Sequence, residues 1–466
     1  MSASKTFGPI EPAAAQAFYK EAITQGWEAD TPVPDFAYDA YVEISGYGLK
    51  LGIKWARLTQ MATVTILNKS VIDKIVFPDD VIFERISELL ASASKGLAVD
   101  HQNIWSNVVV LARPHFRIGH LFSSGNPSFA ARDAALEARA FHPSRIGLYY
   151  GIQGDGEGQT IRILEFGGAY YPSDTRLAGF DPSRVTVEYI DGAQQIPGDA
   201  DGEVALDVQI ALAVAPKAKV VVYFAPNSED GFFNATAQAY KDSRKYCPTF
   251  VASGDNGAND GQDSPVTDFP ASAPYAIGCG GTRLTGSVES VWNNLAYEAG
   301  ATGGGVSAVF QIPDWQKGLS VVTVTDGTAE ALKTRGVPDV AANGDPISGY
   351  IIYVNGQRTV VGGTSAVAPL MAGVFACLGF DTVSISWGAP ETQWTPAGRG
   401  NLANLIQQNA MTGDNILPKI YANPALFKNV SVPGDNGDYE VTPGGWNAAT
   451  GLGSPDGPKL FKAFKG

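Results

Sequence analysis

From about residue 145 onward, short apolar runs alternate with helical patterns, and this alternation restricts the fold more than any other feature of the chain. The apolar runs IRILEF, VTVEYI, KVVVYFA and PTFVASGD have the length and composition of buried strands. The helical patterns are DGEVALDVQIALAVAP and ATAQAYKDSRKY. Such alternation predicts an α/β fold, a parallel sheet with helices on both faces, in which chemistry gathers at the carboxyl ends of the strands.

The first 140 residues follow a different pattern. The run AYVEISGYGLKLGIKW alternates like two half-buried strands separated at a glycine, DDVIFERISELLASASKG indicates an amphipathic helix, and NVVVLA indicates a short strand. A chain of 466 residues is also too long for one ordinary core. We therefore predict a smaller α+β domain over residues 1–140 and a larger domain over residues 141–466.

Composition argues against several classes of partner. The formal net charge is −14, from 33 basic and 47 acidic residues, whereas nucleic acids and anionic membranes bind clustered Lys and Arg. Three scattered cysteines, Cys247, Cys279 and Cys377, predict buried thiols and neither a disulfide framework nor a zinc site. No signal-peptide h-region and no run of eighteen apolar residues occurs, so we expect no membrane span, and localisation stays open.

The run VVGGTSAVAPLMAGVFACL places Ser365 where an apolar strand passes through two glycines into a helix. The glycines permit a tight turn, and the unpaired N–H groups at a helix N-terminus favour developing negative charge. Ser365 is therefore a candidate nucleophile, although serines at helix starts are usually caps.

A serine nucleophile needs a base, and histidine is the usual one. The four histidines all precede the predicted sheet or lie at its edge: His101, His115, His120 and His142. A histidine-dependent triad would need a histidine within the later domain. None of the four lies in a small-residue loop or at a helix start within that domain, so another group has to accept the proton.

Glu203 and Asp207 are four residues apart in DGEVALDVQIALAVA and project from one face of the predicted helix. The rest of that helix is apolar, so the carboxyls face the core unless they lie on a solvated face by chance. Inward-facing carboxyls are costly to bury unless they share a proton or bind a donor. A coupled pair of this kind has one raised pKa and can act as base and acid in turn.

Asp255 ends the strand of TFVASGDNGANDG and begins a loop of small residues. A strand-end aspartate points to where a substrate would lie. If it stays protonated, it can donate a hydrogen bond to an oxyanion; the alternative is an ordinary turn-forming aspartate beside Asn and Gly.

Together these segments resemble the sedolisin family of serine-carboxyl peptidases, closest to its kumamolisin branch, over roughly residues 142–466. DGEVALDVQ matches the family's Glu-x-x-x-Asp helix, ASGDNG its oxyanion loop, and VVGGTSAVAPL its nucleophile segment. The resemblance implies a subtilisin-like fold and an acid-acting endopeptidase that forms an acyl-enzyme on Ser365. It makes Glu203 the general base, Asp207 its partner and Asp255 the oxyanion donor.

The resemblance also implies an auxiliary pair and a peculiarity of chain order. Glu165 lies where the family has a glutamate bonded to the catalytic one, and Trp387 matches the tryptophan that joins this network. However, the family has its SISWG strand before the oxyanion loop, whereas here VSISWGAPETQW follows Ser365. Either the displaced strand fills the family position through a different connection, or the sheet lacks a strand and the carboxylates lose support.

Family members hold one calcium ion in a loop near the C-terminus. The corresponding positions are Asn429, Val430, Pro443, Gly445 and Asn447, with asparagine at both sites where the family has aspartate. Because calcium prefers anionic oxygens, we expect the ion to be absent or weakly held. The asparagines either coordinate through amide oxygens or hydrogen-bond the loop in place of an ion.

Residues 1–140 occupy the position of the family's prodomain. The resemblance implies that this domain inhibits the peptidase until acid releases it, so that the partners are the chain's own N-terminal domain and a peptide or unfolded-protein substrate. An unrelated adaptor domain is the alternative for this part. For the whole chain, the alternative is a catalytically inactive binding or scaffold protein of the same fold.

Overall fold

The structure is a computed structural model. It describes residues 4–7, 28–29, 40–46, 49–56, 61–69, 113–114, 117–118 and 139–466, apart from residues 244, 298, 431 and 442–443. The chain divides into two compact units, Met1–Val110 and Leu111–Gly466. The domain boundary predicted at residue 140 therefore falls inside the second unit. The helix and the short strand predicted between residues 79 and 112 lie outside the described residues.

The described part of the first unit is an antiparallel sheet. Its strands are β1 (Ser4–Phe7), β2 (Glu28–Ala29), β3 (Ala40–Gly46), β4 (Leu49–Ala56) and β5 (Met61–Lys69), in the order β1-β5-β4-β3-β2. The predicted strand pair is confirmed, because β3 and β4 run antiparallel and pair Gly46 with Leu49 at the turn.

The remaining described strands belong to the second unit. They are β6 (Arg113–Pro114), β7 (Arg117–Ile118), β8 (Thr160–Glu165), β9 (Val185–Tyr189), β10 (Lys219–Phe224), β11 (Thr249–Ala252), β12 (Asp268–Phe269), β13 (Ile277–Thr285), β14 (Val288–Val291), β15 (Gly305–Gln311), β16 (Ser320–Val322), β17 (Ala329–Ala331), β18 (Thr334–Val337), β19 (Val340–Asn343), β20 (Tyr350–Val354), β21 (Gln357–Gly362), β22 (Thr382–Ile385), β23 (Trp387–Pro390), β24 (Phe427–Lys428) and β25 (Ser454–Pro455).

The described helices all belong to the second unit. They are α1 (Ile146–Tyr149), α2 (Pro172–Leu177), α3 (Asp201–Val214), α4 (Glu229–Ser243), α5 (Thr364–Cys377), α6 (Pro396–Ala410), α7 (Ile416–Ala422) and α8 (Gly457–Lys465). The predicted helices are confirmed as α3 and α4. In the described part of the chain, no helix has the length and apolarity needed to cross a membrane.

The central sheet of the second unit has the order β14-β13-β11-β22-β8-β10-β9, with β19 beside β13. Every pairing in it is parallel except that of β13 with β14. Five consecutive residues of β8 are buried, from Ile161 to Glu165, which requires helices on both faces. Helix α3 packs against α5, and α4 packs against α6. The predicted α/β fold is confirmed.

The displaced VSISWG segment forms β22 and the start of β23. Although β22 follows α5, the helix that carries Ser365, in the chain, it lies between β11 and β8 in the sheet. Val383, Ser384 and Ile385 are all fully buried there. The segment thus occupies the middle of the parallel sheet through a changed connection, and the sheet has no gap at this position.

The short strands β6 and β7 belong to two smaller sheets of the second unit. Strand β6 pairs with β23, which pairs on its other edge with β12, and β7 pairs with β21. The three cysteines are free and buried as predicted. Burial raises the pKa of the Cys247 and Cys377 thiols to about 12, which keeps them protonated and unreactive.

The central position of β22 predicts a large effect of core substitution. Replacing Ile385, which is fully buried, by Ala should lower the free energy of unfolding by roughly 2–5 kcal/mol through lost apolar contacts and a cavity. Replacing Ile196, which is 59% exposed, by Ala should change it by less than about 0.5 kcal/mol. Urea unfolding in a Ser365→Ala background measures both. If Ile385→Ala lowers the free energy of unfolding as little as Ile196→Ala does, β22 is not a core strand.

Candidate active site

Ser365 is the second residue of α5 and is fully buried, as is every other residue of that helix. The preceding turn depends on two glycines. Gly363 has φ 116°, which favours glycine, and a Cβ on Gly362 would lie 2.4 Å from the carbonyl oxygen of Gly344. The tight turn predicted from the sequence is therefore confirmed, and it delivers Ser365 at a helix N-terminus.

Asp255 lies beside that helix N-terminus, in the loop after β11. Its Oδ1 accepts hydrogen bonds from the backbone N–H of Thr364 at 2.8 Å and from the Thr364 hydroxyl at 2.9 Å. The Thr364 hydroxyl also lies 3.2 Å from both the N and the O of Gly254. Thr364 thereby fixes the Asp255 carboxyl next to Ser365 and joins the loop after β11 to the turn before α5.

Glu203 and Asp207 lie on α3, which packs against α5, the helix that carries Ser365. Both carboxyls are fully buried. Nearly all of α3 is buried too. The inward orientation expected from the flanking sequence is confirmed, and the solvated-face alternative is wrong.

Two consecutive residues of the displaced segment contact this buried region. Trp387 Nε1 donates to Glu165 Oε2 at 2.8 Å, joining β23 to the end of β8. Ser386 Oγ donates to Asp207 Oδ2 at 2.6 Å. The Ser365 hydroxyl in turn donates to the backbone carbonyl of Ser386 at 3.3 Å. Ser365, the carboxyl pair and the displaced segment therefore form one contiguous cluster.

Burial dominates the electrostatics of the cluster. It raises the pKa of Glu165, Glu203 and Asp207 well above the usual range, and the charge of Asp207 raises that of both glutamates further. Asp255 adds to the rise at Glu203, whereas the neighbouring Ser365 hydroxyl opposes it. Ser386 opposes the rise at Asp207, and Trp387 opposes it at Glu165.

Within the described residues, four carboxyl oxygens of the cluster lack a hydrogen-bond partner: Glu165 Oε1, both Glu203 oxygens and Asp207 Oδ1. An ionised carboxylate without donors is costly in such a site, whereas a protonated or proton-sharing one is not. Burial therefore favours protonation of these carboxyls at pH values where exposed carboxyls are ionised. This is the property that an acid–base pair needs to exchange a proton with a hydroxyl.

No described histidine reaches the cluster. His142 lies in a short 3₁₀ turn, where its Nδ1 is 2.8 Å from the Ser144 hydroxyl. His101, His115 and His120 are outside the described residues. The position of His142 is consistent with the sequence-based prediction that a carboxyl, and not a histidine, serves as the base.

The loop that matches the family's calcium position is cross-linked by asparagine side chains. Asn429 Nδ2 donates to the carbonyl of Gly445 at 2.6 Å, and its Oδ1 accepts from the N–H of Gly444 at 3.0 Å. Asn447 Oδ1 accepts from the Ala449 N–H and from the N–H and hydroxyl of Thr450.

These bonds bear directly on whether calcium fits. Gly445, one of the expected ligand positions, already has its carbonyl oxygen bonded to an amide. The donors around Asn447 require its side-chain oxygen to point at the backbone. Val430 is buried beside the loop, and Pro443 lies outside the described residues. Across the described residues, no group of three or more His, Cys, Asp or Glu side chains could hold a metal. The described side-chain and carbonyl oxygens of this loop are thus already bonded within the protein.

Sequence reasoning missed Thr364 and Ser386. Both directly precede a residue that was identified, Ser365 and Trp387 respectively, and both contact an identified aspartate. Short polar side chains next to a functional residue were the available signal, but serine and threonine are too frequent for it to be specific.

Comparison with known proteins identifies the family. No protein-family model matches the chain. Kumamolisin from Bacillus sp. (strain MN-32) is 35% identical over 407 residues, which covers 76% of this chain and 68% of kumamolisin. Sedolisin from Pseudomonas sp. (strain 101) is 32% identical over 251 residues, covering 50% of this chain and 37% of sedolisin.

Among solved structures, Pseudomonas sedolisin, a serine-carboxyl proteinase complexed with pseudo-iodotyrostatin, matches with a TM-score of 0.52 at 22% identity. The match covers 70% of this chain and 97% of that one, and it supports the subtilisin-like fold. The fold and the serine–carboxyl cluster define a serine-type peptidase. The chain belongs to the sedolisin family, in its kumamolisin branch.

The raised pKa values predict that the cluster favours the folded state in acid. A carboxyl whose folded pKa exceeds its unfolded pKa of about 4 binds more protons when folded. Stability from this source is therefore present near pH 4 and is lost as pH rises toward the folded pKa, by up to about 1.4 kcal/mol per pH unit for one group. Urea unfolding of Ser365→Ala between pH 4 and 8 measures the loss.

Adding Glu203→Gln to Ser365→Ala should reduce the stability that is lost between pH 4 and neutral pH, because one buried proton-binding group is removed. Adding Glu188→Gln, a matched change at an exposed position, should leave the pH dependence as it was. A Glu203→Gln protein with an undiminished loss would contradict the placement of this carboxyl in the buried cluster.

Proposed function

We propose that the chain is an acid-acting endopeptidase that hydrolyses peptide bonds through an acyl-enzyme on Ser365. The observation that carries this proposal is the cluster of Ser365 with Glu203 and Asp207, two buried proton-holding carboxyls, without a described histidine nearby. Membership of a peptidase family supports a peptide or protein substrate.

In the proposed reaction, the Ser365 hydroxyl turns from the carbonyl of Ser386 toward Glu203. Glu203, in its ionised form, takes the proton as Oγ attacks the scissile carbonyl, and later gives it to the leaving amine. Asp207, the other carboxyl of the pair, keeps its own charge or proton while Glu203 transfers the serine proton. A carboxyl in a buried site can do this because its pKa lies closer to the pKa values of the groups it exchanges protons with.

The oxyanion of the tetrahedral intermediate would receive hydrogen bonds from protonated Asp255 and from the Ser365 N–H. Thr364 supports this role, because its two bonds to Oδ1 fix the Asp255 carboxyl before substrate arrives. Fixed donors stabilise developing charge without reorganising during the reaction. Acid pH keeps Asp255 protonated, so activity should fall as the pH approaches neutral.

The chain's own N-terminal part is proposed to inhibit the site. Strand β6, which lies in the second unit but precedes the boundary predicted at residue 140, supports this, because Pro114 pairs with Trp387 and Arg113 with Gly388 along the edge of β23. Trp387 and Gly388 directly follow Ser386, whose carbonyl oxygen accepts a hydrogen bond from the Ser365 hydroxyl. A peptide strand added to this edge would exclude a substrate that binds by the same pairing.

An acid shift tests the proposed function. The purified wild type, moved from pH 7 to pH 4, should produce a species that lacks its first 140 or so residues, followed by intact mass. It should also cleave an unfolded protein substrate. Ser365→Ala should stay whole and lose turnover by at least about 10³-fold, since the acyl-enzyme cannot form.

The exposed Ser287→Ala variant serves as a matched control and should behave as wild type. If wild type and Ser365→Ala both stay whole and neither cleaves the substrate, the chain is instead an inactive binding or scaffold protein of this fold.

We further propose that the C-terminal loop is held by Asn429 and Asn447 without calcium. The melting temperature of the protein should then be the same, within about 1 °C, in chelator and in millimolar calcium. The double variant Asn429→Asp, Asn447→Asp should lose stability in chelator, because the bond to Gly445 is lost, and regain it in calcium.

At a calcium concentration 100-fold above Kd, that regain amounts to about 2.7 kcal/mol. A calcium-dependent rise in the wild-type melting temperature would contradict the proposal. Calcium titration by calorimetry, which needs no peptidase activity, distinguishes a site too weak to bind from a site that binds without stabilising.

A further inference from the structure

We propose that Ser386 is a positioning residue of the reaction, whose hydroxyl holds Asp207 in both of its protonation states by reversing its hydrogen bond. The proposal rests on the proposed function, since it gives Ser386 a part in the same proton transfer. It assigns a role to a residue that lies outside the Ser-Glu-Asp set.

Three distances define the geometry. Ser386 Oγ lies 2.6 Å from Asp207 Oδ2 and 3.3 Å from the backbone carbonyl oxygen of Ser365, and the Ser386 carbonyl oxygen lies 3.3 Å from Ser365 Oγ. Ser386 is fully buried, so water does not compete for these contacts. One residue therefore contacts both the supporting carboxyl and the nucleophile.

A hydroxyl has one proton to donate and can accept as well. When Asp207 is ionised, Ser386 donates to it, and 2.6 Å is the length typical of an O–H donor on a carboxylate. When Asp207 is protonated, it can donate to Ser386 Oγ, and the Ser386 proton then has the Ser365 carbonyl as its acceptor. Neither state leaves the hydroxyl or this carboxyl oxygen unsatisfied.

The groups around Asp207 make this two-way contact useful. Glu203 faces it from the same helix and Glu165 from β8, and Asp255 acts on Glu203 from the loop after β11. All are acidic, so no cation compensates a charge on Asp207 within the described part of the cluster. Among the described residues, Ser386 is the hydrogen-bond donor that reaches the Asp207 carboxyl, and it stabilises the charged form of the pair.

The sign of the pH effect follows from that stabilisation. Glu203 acts as base only in its ionised form, and because the charge of Asp207 raises the pKa of Glu203, that form carries both charges. The Ser386 hydroxyl stabilises the Asp207 charge in this form. Removing the hydroxyl should raise the pH at which the pair ionises. The acidic limb of the kcat/KM profile should therefore move to higher pH, and the rate loss should be largest at the lowest pH.

The test compares Ser386→Ala with Ser384→Ala. Ser384 is a matched control: it is fully buried, lies two residues earlier in β22, and its hydroxyl has no partner among the described residues. Ser386→Ala should lower kcat about 10- to 100-fold with little change in KM, and shift the acidic limb upward by about half to one pH unit. Ser384→Ala should leave kcat and the position of the acidic limb at their wild-type values.

Ser386→Thr retains the hydroxyl and should restore the position of the acidic limb, although its extra methyl group can lower the melting temperature. If Ser386→Ala keeps the wild-type profile, or if Ser384→Ala shows the same loss and shift, the role of Ser386 is only structural and the proposal is wrong.

A second readout separates this proposal from the proposed function. Infrared difference spectra of Ser365→Ala, with the Asp207 band assigned by Asp207→Asn, follow the protonation of this carboxyl without any turnover. Adding Ser386→Ala should raise the pH of its titration, and adding Ser384→Ala should not. An unchanged titration overturns the Ser386 proposal whether or not the wild type proves to be a peptidase.

Discussion

The structure depends on the burial of three carboxyls, Glu165, Glu203 and Asp207, between a core helix and the end of a central strand. Ionising all of them there would cost several kcal/mol per group, more than a single hydrogen bond returns. The fold tolerates them because they hold protons and because Ser386 and Trp387 supply donors from the neighbouring strand segment. The same arrangement underlies the proposed chemistry, since a carboxyl with a raised pKa can exchange a proton with a serine.

This dependence explains why the position of β22 matters and its connection does not. The strand follows the nucleophile's helix in the chain, whereas the family order has it earlier. Its backbone nevertheless pairs with β8 and β11, so that Ser386 and Trp387 reach their carboxyls. Hydrogen bonds and packing act on neighbours in space, and the loop that joins two elements contributes only a closure entropy that varies slowly with length. The order of elements can therefore change while the site is kept.

The alternation of strands and helices was enough to predict the fold of the second unit, and the candidate residues Ser365, Glu203 and Asp255 could be identified from local patterns. These patterns are local because each residue sits at the end of a strand or on one face of a helix. The place of β22 in the sheet could not be predicted, since pairing between strands distant in sequence leaves no local signal. The same reason hid Ser386 and Thr364, whose partners are more than one hundred residues away.

Two opposing effects set the response of the whole molecule to acid. Exposed aspartates such as Asp155 and Asp314 have a pKa lowered by neighbouring lysines, so their contribution is lost as pH falls. Water and salt screen such exposed pairs, which contribute little. The buried cluster acts in the opposite sense and is not screened, and the net charge of −14 also becomes smaller in acid. Protonation of the buried cluster and the smaller net charge both favour the folded state at low pH. The proposed chemistry requires Asp255 to be protonated in the same pH range. Protonation of the buried cluster in acid therefore favours the fold in the same direction as the proposed protonation of Asp255, whereas the proposed base Glu203 works in its ionised form.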